Sequence, residues 1–302
     1  MKKLLCLLLS ILFCSQSIFA KVLVITHSCN RPDLIKLQDK TFKKFLKNDY
    51  EFVVFNDARK KSIRHEIDAI CSQLHIRCIG IPQEVHDRPY LARDLGEDYN
   101  NANARCANVV QYSLDVLGFK HDGIVMIIDS DMFLISDFNV EESLENYPIA
   151  GVHHSRGHVN YLWNGLVLLN MRKLPNKTEI NFNCGRVDGF GTDVGGFLYY
   201  YFKKHPEIKS LPIGCLHMNS LICVDCLKNE RVGCKHNTQA LKSLNFNERA
   251  IQLIQSGVHN IEFLFDNAFL HYRGATNWDN KSSDYHAQKT VNLNKFMHDI
   301  LN

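Results

Sequence analysis

The chain has 302 residues, of which 45% are hydrophobic and 22% are charged, proportions typical of an ordinary globular protein. This length suffices for one large domain or two small ones around a sizeable core. The formal net charge is only +3, and two of the lysines lie within the first three residues. The composition therefore gives no support for a nucleic-acid partner, and we expect none.

The first twenty residues have the layout of a secretory signal peptide. Lys2 and Lys3 precede an apolar run at 4–13, and small residues lead to an exit at Ala20. Because this run is shorter than the roughly 20 residues that span a bilayer, a cleaved leader is favoured over an uncleaved anchor. We therefore predict an exported protein without a stable membrane span after cleavage, either secreted or resident in a secretory lumen such as the ER or Golgi.

Strand and helix patterns alternate through the first half of the chain. Such alternation is typical of βαβ units and a parallel sheet, so we predict a nucleotide-binding, Rossmann-like half at 21–135. The predicted order is a strand at 22–25, a helix at 34–46, a strand at 52–55, a helix at 63–74, an apolar segment at 78–81, a helix at 103–117 and a strand at 124–128.

The second half, at 136–302, has a less regular pattern. With no repeat and no low-complexity linker, we assign 21–302 to a single domain. The predicted order is a strand at 149–152, a polar loop with His153, His154, Arg156 and His158, a strand at 166–169, a helix at 195–204, a Cys-rich insert at 215–236, a helix at 247–256, a strand around 263–270 and a polar tail.

Cysteine usage fits an exported chain. Eleven cysteines are present, and in an oxidising compartment some of them are expected to form disulfides. Cys71 and Cys78 flank a short segment and are one plausible pair. In the insert, Cys223 and Cys226, followed by Cys234 and His236, have the spacing of metal ligands, and the alternatives are disulfides or a structural zinc site.

Two aspartates, Asp129 and Asp131, directly follow the apolar run at 124–128. Five consecutive apolar residues predict a central strand buried on both faces, and open α/β sheets bind ligands at the carboxyl ends of such strands. Side chains alternate in an extended chain, so carboxylates at positions i and i+2 can face one ligand. Such a pair suits Mg²⁺ or Mn²⁺ bridging to a diphosphate better than zinc, although aspartates after strands also serve as turn or helix caps.

Polar residues also end the first two predicted strands. Thr26, His27, Asn56 and Asp57 lie where the base and ribose of a nucleotide would bind in such a sheet, and their alternative role is that of polar loop residues. Arg105, on the helix before the two aspartates, is a candidate for contacting phosphate oxygens. Its alternative role is that of a solvated arginine on a helix face.

Three later segments contain further candidate residues. Asn164 and Gly165 precede the predicted strand at 166–169, and Asp193 lies among glycines, where a closely approached backbone suits a carboxylate touching sugar hydroxyls. The alternative for Asp193 is the N-cap of the helix that follows. A segment beginning His271-Tyr272-Arg273-Gly274 comes late in the chain.

This order of motifs resembles the GT-A-fold glycosyltransferases, and most nearly the glycogenin-like and lipopolysaccharide galactosyltransferase-like group known as family 8. The shared order is Asp-x-Asp, an Asn before a small-apolar strand, Asp-x-Gly and a late His-x-x-Gly, within about residues 22–280. The resemblance implies an α/β fold with a mixed, mostly parallel sheet flanked by helices. It also implies transfer of a sugar from a nucleotide-sugar donor to a glycan, protein or lipid acceptor, with Mn²⁺ or Mg²⁺ as cofactor.

Carried over by position, the resemblance makes Asp129 and Asp131 metal ligands, with Asp129 also near the donor ribose, and His271 the third ligand. Asn164 and Asp193 would lie beside the transferred sugar as the candidate catalytic residues. In an inverting enzyme Asp193 would deprotonate the acceptor, whereas in a retaining one it would orient or stabilise the sugar. Tyr161 and Trp163 either stack on a sugar or belong to the core.

The chain departs from the family pattern after Gly274. The family motif continues to a lysine, a proline and a tryptophan, but Asn277 stands at the lysine position and Trp278 comes early. Arg273 or Lys281 would then supply the positive charge for the donor diphosphate. Two alternatives to a glycosyltransferase therefore stay open: a nucleotidyltransferase or phosphotransferase with the same metal site, and an exported carbohydrate-binding protein without catalysis.

Overall fold

The computed structural model describes residues 22–87, 102–217, 246–255, 261–275 and 283–302. The leader, the part of the Cys-rich insert beyond residue 217, and Asn277, Trp278 and Lys281 lie outside these ranges, so their assignments stay predictions. Among the helices within the described ranges, none is both long and apolar enough to cross a membrane.

The described elements comprise thirteen strands and eight α-helices. The strands are β1 Val22–Ser28, β2 Tyr50–Asn56, β3 Arg77–Gly80, β4 Ile124–Ile128, β5 Met132–Leu134, β6 Ile149–Arg156, β7 Val159–Asn170, β8 Gly185–Val187, β9 Phe190–Thr192, β10 Ser210–Pro212, β11 Cys215–His217, β12 Glu262–Leu264 and β13 Phe269–His271. The helices are α1 Pro32–Phe45, α2 Lys61–Leu74, α3 Glu84–Asp87, α4 Ala102–Val116, α5 Val140–Leu144, α6 Leu198–Lys204, α7 Glu248–Gln255 and α8 Ser283–Leu301.

Seven strands form the main sheet, in the order β10-β6-β7-β4-β1-β2-β3. The pairs β10·β6, β4·β1, β1·β2 and β2·β3 are parallel, and only the two pairs that involve β7 are antiparallel. The predicted fold class, α/β with a mixed and mostly parallel sheet flanked by helices, is therefore confirmed.

Helices cover both faces of this sheet because successive side chains of its strands point to opposite sides. In β4, Val125 and Ile127 belong to one buried cluster, which α4 completes with residues such as Leu114. Ile124, Met126 and Ile128 belong to a second cluster on the other side, packed against α1 and α2. All five β4 side chains are buried, as the uninterrupted apolar run predicts.

A second, smaller sheet is antiparallel and has the strand order β11-β12-β13-β5. Strand β5 begins only four residues after β4 ends, so the turn Asp129-Ser130-Asp131 joins a central strand of the main sheet to an edge strand of the small sheet. The candidate metal ligands are therefore at the junction of the two sheets.

The structure corrects the predicted loop between the strands at 149–152 and 166–169. His153, His154 and Arg156 continue β6, and Asn164 lies inside β7 rather than before it. The two strands form a long hairpin whose cross-strand hydrogen bonds satisfy the backbone, while many of its polar side chains stay exposed. Polarity alone therefore gave a wrong loop, because an antiparallel hairpin can expose side chains to water and still be fully paired.

Two predictions near the C-terminus are also wrong. The single strand expected around 263–270 is the hairpin β12–β13, and its turn contains three consecutive residues with positive φ, at 50° to 69°. The expected polar tail is a helix of 19 residues, α8. Leu293, Phe296 and Ile300 of α8 pack with α7 and the small sheet in a third buried cluster.

Two further elements bear on the predictions. Helix α6 begins at Leu198 rather than 195, because Gly195 has a φ of +96°, which a helix does not allow. Cys71 and Cys78 are free thiols whose side chains contact each other at the end of α2 and in β3. The structure therefore does not contain the predicted disulfide between them, and that disulfide stays a prediction.

Candidate metal and ligand site

The backbone of the turn Asp129-Ser130-Asp131 is held by hydrogen bonds with three elements, β7, β5 and α1. The Asp129 N–H donates to the carbonyl of Gly165 in β7 at 2.9 Å, and the Met132 N–H donates to the carbonyl of Asp129 at 3.1 Å. The fully buried amide of Gln38, on α1, donates to the carbonyls of Asp129 and Met132 at 2.9 and 3.0 Å. The sequence did not reveal the role of Gln38, since a helical glutamine gives no local signal of a partner 91 residues away.

His271 reaches this turn through strand pairing. Strand β13 is antiparallel to β5 with His271 opposite Met132, which brings the imidazole beside the two carboxylates. Its Nε2 lies 3.3 Å from Oδ1 of Asp131 and 4.0 Å from Oδ2 of Asp129. One ligand atom from each of the three side chains lies within 4.8 Å of the other two, a spacing that allows all three to hold one metal ion.

The second carboxylate oxygen of Asp131 and its backbone are also fixed. The Ala275 N–H donates to Oδ2 of Asp131 at 3.2 Å, and the Tyr272 N–H donates to its carbonyl at 2.8 Å. Helix α8 anchors this segment, since the Lys289 ammonium donates to the carbonyl of Arg273 and the Tyr272 hydroxyl donates to the carbonyl of Lys289. Oδ1 of Asp131 lies on the His271 side, where it would face a metal ion.

The three side chains strongly affect one another's protonation. Burial raises the pKa of Asp129 to about 7. Burial acts in the same direction on Asp131, but the charge and hydrogen bond of His271 lower its pKa below the usual range. Burial disfavours a charged His271, but Asp131 outweighs it and raises the histidine pKa to about 9. A divalent cation would replace the proton on His271 as the charge that balances the carboxylates.

A cavity of about 370 Å³ opens beside the three residues. It lies at the carboxyl ends of β1 and β4, where the fold class places ligands. The predicted site residues that line it are His27, Asp57, Arg105, Asp129, Asp131, Asn164, Asp193, His271, Arg273 and Gly274.

Asp57 and Arg105 form a buried ion pair at one side of the cavity. The Arg105 guanidinium donates to both oxygens of Asp57 at 3.1 Å, and His86 hydrogen-bonds to Oδ1 of Asp57 at 2.6 Å. The Arg105 side chain is only 6% exposed, so its alternative as a solvated arginine is wrong. His27 hydrogen-bonds to Ser113 on α4, and burial lowers its pKa to about 4, so at neutral pH it is an uncharged imidazole.

The structure does not bring Thr26 and Asn56 to the cavity. Both are fully buried, and neighbouring strand residues point to opposite faces, so His27 faces the cavity and Thr26 does not. The Asn56 amide donates to Asp68 at 2.8 Å and accepts from the Ala58 N–H at 3.1 Å, which fixes the loop after β2. We therefore correct both residues from ligand-binding to structural.

Asn164 and Asp193 line the cavity from the second half of the chain. The Asn164 amide donates to Sγ of Cys106 at 3.3 Å, which orients it. Asp193 accepts a hydrogen bond from the Val194 N–H at 2.8 Å, but it is not the N-cap of α6, a position that Phe197 occupies. The helix-cap alternative for Asp193 is therefore wrong.

Two further residues lie beside His271, and sequence reasoning missed one of them, Glu262. Glu262 hydrogen-bonds to the other imidazole nitrogen at 2.8 Å, and Trp163, left open between core and sugar contact, packs against the same ring at 5.2 Å. The signal for Glu262 would have been recognition of the β12–β13 hairpin, which places it directly opposite His271. The predicted single strand concealed it.

Comparisons with known proteins find similarity only among solved structures. No protein-family model matches the chain, and no curated protein matches it. The mannosyltransferase PcManGT from Pyrobaculum calidifontis, in complex with GDP-Man and Mn²⁺, is 12% identical over 65% of this chain and 55% of its own, with a TM-score of 0.40. Glucosyl-3-phosphoglycerate synthase from Mycobacterium tuberculosis, in complex with Mn²⁺, UDP and glucosyl-3-phosphoglycerate, is 13% identical over 64% and 70%, with a TM-score of 0.37.

The galactosyltransferase LgtC, in complex with donor and acceptor sugar analogs, is 11% identical over 50% of this chain and 59% of its own, with a TM-score of 0.33. For two of these three proteins the chain spans less than two thirds of their length. At such low identities and TM-scores, the likeness establishes no activity for this chain.

Proposed function

We propose that the protein is a metal-dependent glycosyltransferase that moves a sugar from a nucleotide-sugar donor to an acceptor. The observation that carries the proposal is the convergence of Asp129, Asp131 and His271 within 4.8 Å beside a cavity at the carboxyl ends of parallel strands. Two carboxylates and one imidazole form a donor set that Mn²⁺ accepts, and Mg²⁺ is the alternative. We also propose that the enzyme belongs to the family 8 group, because of the order of its motifs, and that it is exported, because of its N-terminal leader.

The chemistry of the transfer requires the charges that this cavity supplies. Departure of a nucleoside diphosphate places negative charge on a phosphate oxygen, and a bound divalent cation offsets that charge as a Lewis acid. Arg273 pairs with Glu262 through one guanidinium nitrogen and lines the same cavity with a side chain that is 42% exposed, so its other N–H groups would contact the donor diphosphate. Arg105 is held by Asp57, and this pair would shape the nucleotide end of the cavity.

Asn164 and Asp193 would lie beside the transferred sugar as the catalytic residues. Both line the cavity, Asn164 from β7 and Asp193 from the turn that follows β9. Asp193 is half-buried, so its carboxylate is able to hydrogen-bond to sugar hydroxyls. Such a carboxylate deprotonates the acceptor if the reaction inverts configuration, and orients or stabilises the sugar if it retains. The acceptor belongs to the glycans, proteins or lipids.

The test is a panel of nucleotide sugars with Mn²⁺, scored for release of nucleoside diphosphate. We expect at least one donor to be turned over, and the chelator EDTA to abolish turnover. Asp131→Ala should lower the rate by roughly 100-fold or more, because metal ions supply several kcal/mol of charge stabilisation. Asp137→Ala removes an exposed carboxylate that pairs with Lys47 at the surface, and it serves as the matched control.

Three results would contradict the proposal. Full activity of Asp131→Ala in excess chelator would exclude a metal-dependent reaction at this site. Release of pyrophosphate instead of nucleoside diphosphate would identify a nucleotidyltransferase. Calorimetric binding of glycans, with no nucleotide binding at any metal concentration, would identify a carbohydrate-binding protein.

A further inference from the structure

Glu262 and His271 form a directly opposed pair in the hairpin β12–β13. Oε2 of Glu262 lies 2.8 Å from Nδ1 of His271, while Nε2 of the same ring faces Oδ1 of Asp131 at 3.3 Å. One nitrogen of the imidazole is therefore hydrogen-bonded to a carboxylate, and the other faces the candidate metal site.

The carboxylate of Glu262 is itself held in place. Its side chain is 13% exposed, and Oε1 lies 3.3 Å from the Arg273 guanidinium, so its two oxygens have different partners. Strand pairing fixes the backbone of Glu262 relative to that of His271. A fixed acceptor of this kind orients the ring that donates to it.

We propose that Glu262 is the positioning residue of the metal site. By accepting the proton of Nδ1–H, it leaves the lone pair of a neutral His271 on Nε2, oriented toward the two aspartates, and it raises the basicity of that nitrogen. The family resemblance assigns only the two aspartates and the histidine, and no role to Glu262. The inference rests on the metal site of the proposed function but does not depend on which sugar is transferred.

The test is calorimetric titration of the full chain with Mn²⁺ alone. In Glu262→Gln the side-chain carbonyl still accepts the Nδ1 proton, but the negative charge is lost, so we expect Kd for Mn²⁺ to rise roughly 10-fold. Glu262→Ala also loses the hydrogen bond and should raise Kd further, toward roughly 100-fold. Glu51→Gln is the matched control, because it makes the same charge change at an exposed site paired with Arg77.

Thermal unfolding in EDTA separates positioning from a purely structural role. A structural role would lower the metal-free melting temperature of Glu262→Gln and leave its Mn²⁺ affinity equal to that of the wild type, and this result would overturn the proposal. Weaker Mn²⁺ binding in Glu262→Gln, with Glu51→Gln unchanged, supports it. If the wild-type chain itself binds no Mn²⁺, the metal site of the proposed function is overturned together with the role of Glu262. If the wild type binds Mn²⁺ and Glu262→Gln binds it equally well, only the role of Glu262 is overturned.

Discussion

Trp163 forms part of the cavity wall through its contacts with two histidines. Its indole stacks on His154 with ring centroids 6.3 Å apart and packs against His271 at 5.2 Å. The ring has room for this position because Gly165, two residues further along the same face of β7, has no side chain. A Cβ at Gly165 would lie 2.0 Å from the far edge of the indole, so this glycine is a condition for the arrangement around His271.

Gly165→Ala should therefore destabilise the protein and weaken the metal site. Displacing the indole in a packed wall costs about 1–3 kcal/mol, and the displaced ring would disturb His271. Urea denaturation measures the stability, and titration with Mn²⁺ measures the site. Gly191→Ala is the control, because a Cβ there meets only open space.

The double variant Gly165→Ala/Trp163→Phe tests the cause. Phenylalanine lacks the indole atoms that the new Cβ would strike, so the two substitutions should cost less together than the sum of their separate effects. Strictly additive costs would show that the clash with Trp163 is not the reason.

At the scale of residues, the sequence predicted the candidate metal ligands better than the residues that hold those ligands in place. Asp129, Asp131 and His271 were predictable because their residue types and order match a known motif pattern. Gln38 and Glu262 were not, because their roles depend on partners brought close only by strand pairing and helix packing. Thr26 and Asn56 were misassigned because position at a strand end does not decide which face a side chain takes.

At the scale of elements, burial decided what was predictable. The strands β1, β2 and β4 are buried on both faces, so their apolar runs were unambiguous. The hairpin β6–β7 and the helix α8 are partly solvated, and polar residues concealed them. The apolar spacing of α8 is confined to its last turns, with Leu293, Phe296 and Ile300 in the core.

Phe296→Ala tests whether α8 is an integral part of the fold. Phe296 is 5% exposed within the cluster that joins α8 to the small sheet, so its truncation should lower the free energy of unfolding by about 3–5 kcal/mol. Val291→Ala on the same helix is the control, since Val291 is 59% exposed and should cost less than about 0.5 kcal/mol. Equal effects of the two substitutions in urea denaturation would contradict this packing.

At the scale of the whole molecule, the candidate metal site links the two sheets. Asp129 directly follows the central strand of the main sheet, whereas His271 lies on a strand of the small sheet, 142 residues along the chain. Without a cation, the site concentrates three carboxylates, those of Asp129, Asp131 and Glu262, around one imidazole. A bound cation would relieve the repulsion among these carboxylates, and its ligands would come from both sheets.

Asp129→Asn should therefore separate stability from metal binding. Within the described residues the ion pair of Asp129 is the one with His271 at 4.0 Å, so removing its charge should leave the metal-free protein at least as stable as the wild type. Binding of Mn²⁺ at 100 times its Kd should stabilise the wild type by about 2.7 kcal/mol, and the variant far less at the same concentration. Urea denaturation in EDTA and in Mn²⁺ measures both effects, with Asp137→Asn as the surface control. Equal stabilisation of Asp129→Asn and the wild type by Mn²⁺ would mean that the ion does not bind at the junction of the sheets.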